Sequence, residues 1–323
     1  MLRRGWIVAA LLALVLLVAA WSFLSGWYGA GPLENETSFV VPDGASLSSV
    51  IGKLEREGAI ASAESFRVHA RILGGSAPIK AGEFLLPAGA SPAQILGILQ
   101  SGDVIRRFVT VPEGMPSIMV HERLMAQKHL TGTIPVPAEG SLLPDSYDFE
   151  RGEDRKAVVA RMQSAMQRTL KDLWPKRAAG IAVKTPAEAV ILASIVEKET
   201  GKPSERRQVA GLYTNRLRHG MMLQADPTII YPITKGKPLG RRIRQSEIRA
   251  VNDYNTYAMT GLPKAPITNP GRESIEAVLN PAKTDALYMV ADGTGGHAFA
   301  ATLEEHNRNV RKWFAIRRAR GEL

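Results

Sequence analysis

The first 33 residues set the terms for the rest of the chain. Trp6 to Leu24 is an almost wholly apolar run of 19 residues, and no charge occurs between residues 5 and 33. Coiled as a helix at about 1.5 Å per residue, the run covers roughly 28 Å, close to the hydrocarbon thickness of a bilayer. Arg3 and Arg4 precede it, and Glu34 is the next charge. Cationic charge on the N-terminal side predicts that this end stays in the cytoplasm. Everything after residue 33 is then expected outside the cytoplasmic (inner) membrane. Trp21, Trp27 and Tyr28 are expected as anchors at the outer interface. Ala19 and Ala20 offer the competing reading of a cleaved signal peptide. The apolar cores of such peptides run to only about 7–15 residues, so a retained single-pass helix is expected.

An exported body changes what the composition means. The 323 residues carry 41 Lys and Arg against 31 Asp and Glu, a formal charge of +10. In the cytosol that balance would suit nucleic acid; outside it suits anionic lipid or an acidic polymer, and no nucleic-acid partner is expected. Cysteine is absent, which removes disulfides, thiolate metal sites and a thiol nucleophile. The length fits about two domains.

After the apolar run a short pattern occurs three times: VPDGASLSSVI at 41–51, LPAGASPAQIL at 86–96 and VPEGMPSIMVH at 111–121. Each is an apolar run, then Pro-x-Gly, then a residue able to open a helix. Proline fixes φ, glycine takes the unusual backbone angles, and Ser46 or Ser91 accepts from free helix N–H groups. The pattern predicts strand, tight turn, amphipathic helix, and a small α+β module over residues 34–108. Its irregular spacing argues against a solenoid.

From residue 109 the character changes. Residues 131–154 are rich in Pro, Gly and acidic groups and are expected to be mostly loop. A helix is expected over about 154–173, with Val158, Met162, Ala165, Met166 and Leu170 on one face. In TPAEAVILASIVEKET (185–200), Thr185, Pro186 and Glu188 fit the N-cap, first and third positions of a capping box. Val190 to Val196 is apolar nearly all round, so this helix should be buried. Ser204 is expected to cap the next helix, which Gly220 ends. ALYMVADGTGGHAF (286–299) reads as a hairpin, and a basic amphipathic helix over about 303–320 closes the chain.

The buried helix ends in Glu197-Lys198-Glu199. Residues two apart lie about 200° apart around a helix, so the two glutamates face differently. Glu199 follows Ile195 and Ile191 at helical spacing, on the apolar side. Burial raises a carboxyl's pKa toward the value a general acid needs. The alternative is a frayed, solvated helix end, since most carboxylates are exposed. Two later segments, LQADPTIIY (223–231) and DYNTYAMTGLPKAPITNPG (253–271), are dense in amides, hydroxyls and aromatic rings on Pro/Gly-stiffened backbone. Such groups suit a sugar, or they satisfy loop backbone. No nucleophile elbow or phosphate loop is present. His297 and His306 are the one histidine pair of interest; without a metal-binding helix they read as structural, and no metal site is expected.

ASIVEKET (193–200), SERRQVAGLYTNRL (204–217), LQADPTIIY (223–231), YNTYAMTGLP (254–263) and LYMVADGTGGHAF (287–299) together closely resemble the YceG-like endolytic murein transglycosylases. EGSLLPDSY (139–147) also resembles that family's pattern, with Ser141 standing in place of an aromatic residue. The resemblance implies an α+β fold: residues 1–33 as cytoplasmic end and transmembrane anchor, 34–108 as a LysM-like module, and 109–323 as the catalytic domain. It implies that Glu199 is the catalytic acid, cutting the β-1,4 bond between N-acetylmuramic acid and N-acetylglucosamine within nascent glycan strands. One carboxyl would serve as acid and then as base, closing a 1,6-anhydro ring, so no second carboxylate and no cofactor are needed. On this reading Gln224 and Asp226 bind substrate or position Glu199. Tyr254, Asn255 and Tyr257 contact the glycan, and Glu205 is structural. Peptidoglycan, the membrane, and peptidoglycan synthases or division proteins are the implied partners. Two other classes remain: a non-catalytic peptidoglycan-binding scaffold, and a pyridoxal-phosphate lyase of chorismate metabolism, which an exported chain disfavours.

Overall fold

The computed structural model describes residues 2–322, with side chains from Trp6 onward. Arg3 and Arg4, on which the expected orientation rests, lie outside the described side chains. Backbone packing divides the chain into two units, residues 1–107 and 108–323.

The first unit comprises α1 (Leu2–Tyr28), β1 (Thr37–Val41), α2 (Leu47–Arg56), α3 (Ala63–Leu73), β2 (Gly82–Leu86) and α4 (Pro92–Ser101). Within α1, Trp6–Tyr28 is long and apolar enough to cross a membrane by length and composition. Most of its large apolar side chains are exposed. Its last turn is different. Trp27 is only 2% exposed, edge-on to Phe66 and stacked on His69, and the His69 Nε2 lies 2.8 Å from the Phe23 carbonyl. Trp27 is therefore a core residue of this unit and not the interfacial anchor the sequence suggested. An indole surrounded by apolar partners gains more from burial than from a headgroup.

Both Pro-x-Gly copies of this unit fold as strand, turn and helix. Gly44 and Gly89 take φ of 70° and 66°, angles that carry a steric cost for side chains. Ser46 and Ser91 cap α2 and α4, the latter in a full capping box with Gln94. β1 and β2 pair antiparallel from Thr37↔Leu86 to Val41↔Gly82. One face of that ribbon meets the helices through Phe39, Ile51, Leu54, Phe84 and Ile95, each burial worth about 1.5–3 kcal/mol.

The second unit follows from β3 (Arg107–Thr110) through α5 (Ser117–Met125), β4 (Ser146–Phe149), α6 (Arg155–Leu173), α7 (Pro186–Glu199) and α8 (Arg206–Arg218). It continues with α9 (Pro227–Thr234), α10 (Gln245–Ile248), α11 (Arg272–Leu279), β5 (Tyr288–Ala291), β6 (His297–Ala300) and α12 (Leu303–Ala319). β3 pairs with β4, and β5 with β6. The third Pro-x-Gly copy again joins strand to helix, though α5 starts at Pro116 without a side-chain cap.

The centre of this unit is α7. Ala189, Leu192, Ala193, Ile195 and Val196 are fully buried, packed with Val209, Leu212 and Tyr213 of α8 and Ile275 and Val278 of α11. Thr185 caps α7, but Glu188 reaches one residue further back, to the Lys184 N–H, so the expected box is only half made. Ser204 does not cap α8. It lies in a short 3-10 turn, Pro203–Glu205, whose own bonds lead into the helix. α12 rests on the β5–β6 hairpin.

Candidate active site

The last turn of α7 sends two carboxyls into different surroundings. Glu197, its side chain 6% exposed, faces Arg206 at 3.8 Å and accepts the Gly271 N–H at 2.9 Å. Arg206 also binds Glu113 at 2.7 Å and, in a short contact, Glu273. Glu197 thus ties α7 to α8 and to the start of α11. Glu199 has no such partner. Its Oε1 is buried without a hydrogen bond.

Glu199 opens on a cavity of about 230 Å³, lined also by Tyr213 and Arg216 of α8, Gln224, Asp226, Tyr257, and Ala291 and His297 at the facing ends of the hairpin strands. All five sequence segments that carried the resemblance contribute a wall. Two larger cavities, of about 470 and 510 Å³, lie in the same unit. The first is chiefly Pro, Met and aliphatic, and the second holds the Arg206 cluster and the exposed Glu276; among the described residues neither is lined by a buried acid with an unbonded oxygen.

Backbone order at the cavity comes from two interlocked loops. The Gln224 N–H donates to the Thr256 carbonyl at 3.0 Å, and Ala225 N–H to the Thr256 hydroxyl at 3.0 Å. Gln224 is held at φ 53°, a left-handed conformation uncommon outside glycine. The buried Arg216 fastens this strained segment: its guanidinium donates to the carbonyls of Met222, Leu223 and Leu287 and to Gln224 Oε1. Strain held in place by a dense bonding set is a mark of functional loops.

The electrostatics favour a protonated Glu199. Burial, followed by the negative charge of Asp226, pushes its carboxyl up from 4.5 to about 7; a hydrogen bond with Tyr213 and the Arg216 charge pull the other way. Asp226 itself accepts the Tyr257 hydroxyl at 2.7 Å, and burial, followed by that bond, holds the phenol well above its ordinary range. The result is an acid half-protonated near neutrality beside a fixed anion, in a polar pocket open to solvent. Such a group can give a proton to a leaving oxygen and take one back.

Of the residues expected at the site, Glu199, Gln224, Asp226 and Tyr257 meet here. Tyr254 and Asn255 do not. Tyr254 packs against Tyr231 at 4.9 Å. Asn255 is fully buried, with its amide donating to the carbonyls of Glu247, Ile248 and Ala250 and its oxygen accepting Tyr257 N–H. Asn255 therefore staples the loop that carries Tyr257 and is unavailable to a glycan, which corrects the expected contact. Asn269 does similar work, bonding Leu142 N–H, the Met115 carbonyl and Glu139.

Three wall residues escaped sequence reasoning. Tyr213 and Arg216 sit in an ordinary-looking helix. His297, read as structural, lines the cavity; its signal was the Gly-Gly pair before it at a strand start. Among the described residues no group of three or more His, Asp or Glu is placed to hold a metal ion.

The family model described as the YceG-like family matches residues 39–312. An endolytic murein transglycosylase of Bacillus subtilis is 28% identical, over 93% of this chain and 92% of its own length. One of Streptococcus pneumoniae is 27% identical over 84% of this chain, which spans only 57% of that longer protein. The crystal structure of a putative YceG-like protein from Listeria monocytogenes shares 26% identity at a TM-score of 0.53, covering 85% of this chain and 99% of that one.

Proposed function

The chain belongs to the YceG-like family, and we propose that it is a membrane-anchored endolytic lytic transglycosylase of peptidoglycan with Glu199 as its acid. The observation that carries this reading is the Glu199 carboxyl, buried, unpartnered at Oε1 and raised to about 7, in a cavity walled by five distant segments.

The protonated carboxyl gives its proton to the glycosidic oxygen of N-acetylglucosamine as the bond to C1 of N-acetylmuramic acid breaks. Positive charge then develops at C1, and the nearby Asp226 carboxylate opposes it. The C6 hydroxyl of the same muramoyl residue bonds to C1 and its proton returns to Glu199, leaving a 1,6-anhydro end and ending elongation of that strand. No water adds, so a second catalytic carboxylate is unnecessary. Glu197 is engaged by Arg206, and Glu205, which does not line the cavity, by His297 from behind the cavity wall.

The Trp6–Leu24 helix spans the inner membrane with the N-terminus inside, a reading supported by its length and apolarity and by Arg3 and Arg4. Residues 34–108 act as a LysM-like module that grips the strand; deleting residues 37–108 should then change product lengths. Synthases or division proteins are its working neighbours.

Full-length protein in detergent, wild type and Glu199→Gln, is incubated with polymeric peptidoglycan and the fragments are read by mass spectrometry. Anhydro-ended internal fragments from wild type only support the proposal. Reducing ends would instead make the enzyme a hydrolase, with Asp226 activating water. Binding without cleavage by either would make it a scaffold.

A further inference from the structure

His297 is held through both oxygens of one carboxylate, Glu205, whose only other charged partner among the described residues is Lys202 at 3.7 Å. Its Nδ1 lies 2.8 Å from Glu205 Oε2, and its backbone N–H donates to the other oxygen, Oε1, at 3.1 Å. Glu205 comes from the turn before α8, some ninety residues earlier in the chain. It reaches His297 by passing beneath the hairpin, where a Cβ on Gly296 would collide with its carboxylate. The glycine at 296 is thus required by this contact, while Gly295 answers to its left-handed backbone angle.

Its consequence is a fixed tautomer. Nδ1 keeps its hydrogen for Glu205, so the neutral ring presents a lone pair at Nε2. No hydrogen bond engages Nε2 within the described residues, and the ring is part of the Glu199 cavity wall. A nucleophile-side base needs this arrangement: an oriented imidazole, backed by a carboxylate, with its free nitrogen toward the substrate.

We propose that His297, oriented by Glu205, is a second proton-transfer group of this site and takes the proton of the attacking hydroxyl. The inference rests on the transglycosylase reading above and divides its labour between two residues. Glu199 protonates the leaving O4 as the C1–O4 bond breaks. O6 bonds to C1 while its hydrogen passes to His297 Nε2. The imidazolium then returns that proton to the Glu199 carboxylate, through water or directly, and both groups are restored.

The groups facing His297 are known from each element around it. Lys202 and Glu205 approach from the turn below, 3.7 Å apart, and Asp292 lies in the hairpin's own turn, bonded to Thr294 and Gly296. Across the cavity stand Glu199, Arg216 and Asp226, with the phenols of Tyr213 and Tyr257.

One acid used twice and two groups used once differ in their pH–rate profiles. A lone Glu199 gives a single limb, falling at high pH as it ionises. The pair adds an acid limb, because His297 must be neutral to accept a proton. The test is the kcat profile of full-length wild type, His297→Gln and Glu205→Gln on polymeric peptidoglycan, with products read by mass spectrometry and folding by thermal melts. Wild type should show both limbs. His297→Gln should lose about 100-fold in kcat and lose the acid limb while still making anhydro ends. Glu205→Gln should displace that limb. A folded His297→Gln with wild-type kcat, or with the acid limb intact, overturns the proposal. If that variant melts early, the wild-type profile decides, and a missing acid limb overturns it. Failure of wild type to make anhydro ends would strike the transglycosylase reading itself.

Discussion

Glu197 and Glu199 leave the same helical turn, and their surroundings could hardly differ more. Glu197 meets a guanidinium shared with Glu113 and Glu273, and a backbone N–H. Glu199 meets a phenol, an aspartate across a pocket, and at Oε1 nothing. Burial is common to both, so burial alone does not make a catalytic acid. What separates them is whether the negative charge is compensated. A compensated carboxylate fastens helices together; an uncompensated one holds its proton to near pH 7 and can release it to a substrate.

The contrast can be broken most sharply by activity. Glu199→Gln should cut strand cleavage by about 10²–10⁴-fold, measured as anhydro-ended fragments. Next in size is the partner of the other glutamate. Arg206→Ala leaves Glu197 buried without its cation and should cost about 3–5 kcal/mol in thermal or denaturant unfolding.

Smaller, and opposite in sign, is the effect of Glu199 on stability. Its carboxyl titrates at 4.5 when free and at about 7 in the fold, so the native state holds the proton more tightly across that window. The stabilisation is complete below about pH 4.5 and is lost as pH rises through about 7, a change on the order of 3 kcal/mol. Glu199→Gln should therefore gain on wild type by that order between about pH 4.5 and about pH 8, in paired melts. A flat difference would mean the acid is not buried. The mildest change is Glu197→Gln, which keeps the bond to Gly271 in part. It should cost about 1–2 kcal/mol and leave cleavage within about tenfold of wild type.

Local rules carried much of the fold. Pro-x-Gly followed by a helix opener specifies backbone angles within a few residues, and all three copies formed. The helical stripe that set Glu199 on the apolar side is equally local. Where partners come from far along the chain, the sequence was silent. Trp27 reads as an interfacial tryptophan until His69 and Phe66 are brought to it. Asn255 reads as a sugar-binding amide until three carbonyls of the α10 segment close on it. His297 reads as an isolated histidine until Glu205 arrives from the turn before α8. Side-chain chemistry can be read one residue at a time; whether it is spent inside the protein or left for a ligand is decided by tertiary contacts.

A last consequence concerns α1. The helix runs unbroken from the apolar run into Trp27, which is locked into the first unit within one turn of Leu24. If the run is seated in a bilayer, as proposed above, no slack tether separates lipid from folded protein. The helix becomes a stiff mast, and tilting it tips the small module by the same angle. Inserting a short Gly/Ser stretch between Leu24 and Trp27 would uncouple the two, at the expense of the Phe23–His69 bond.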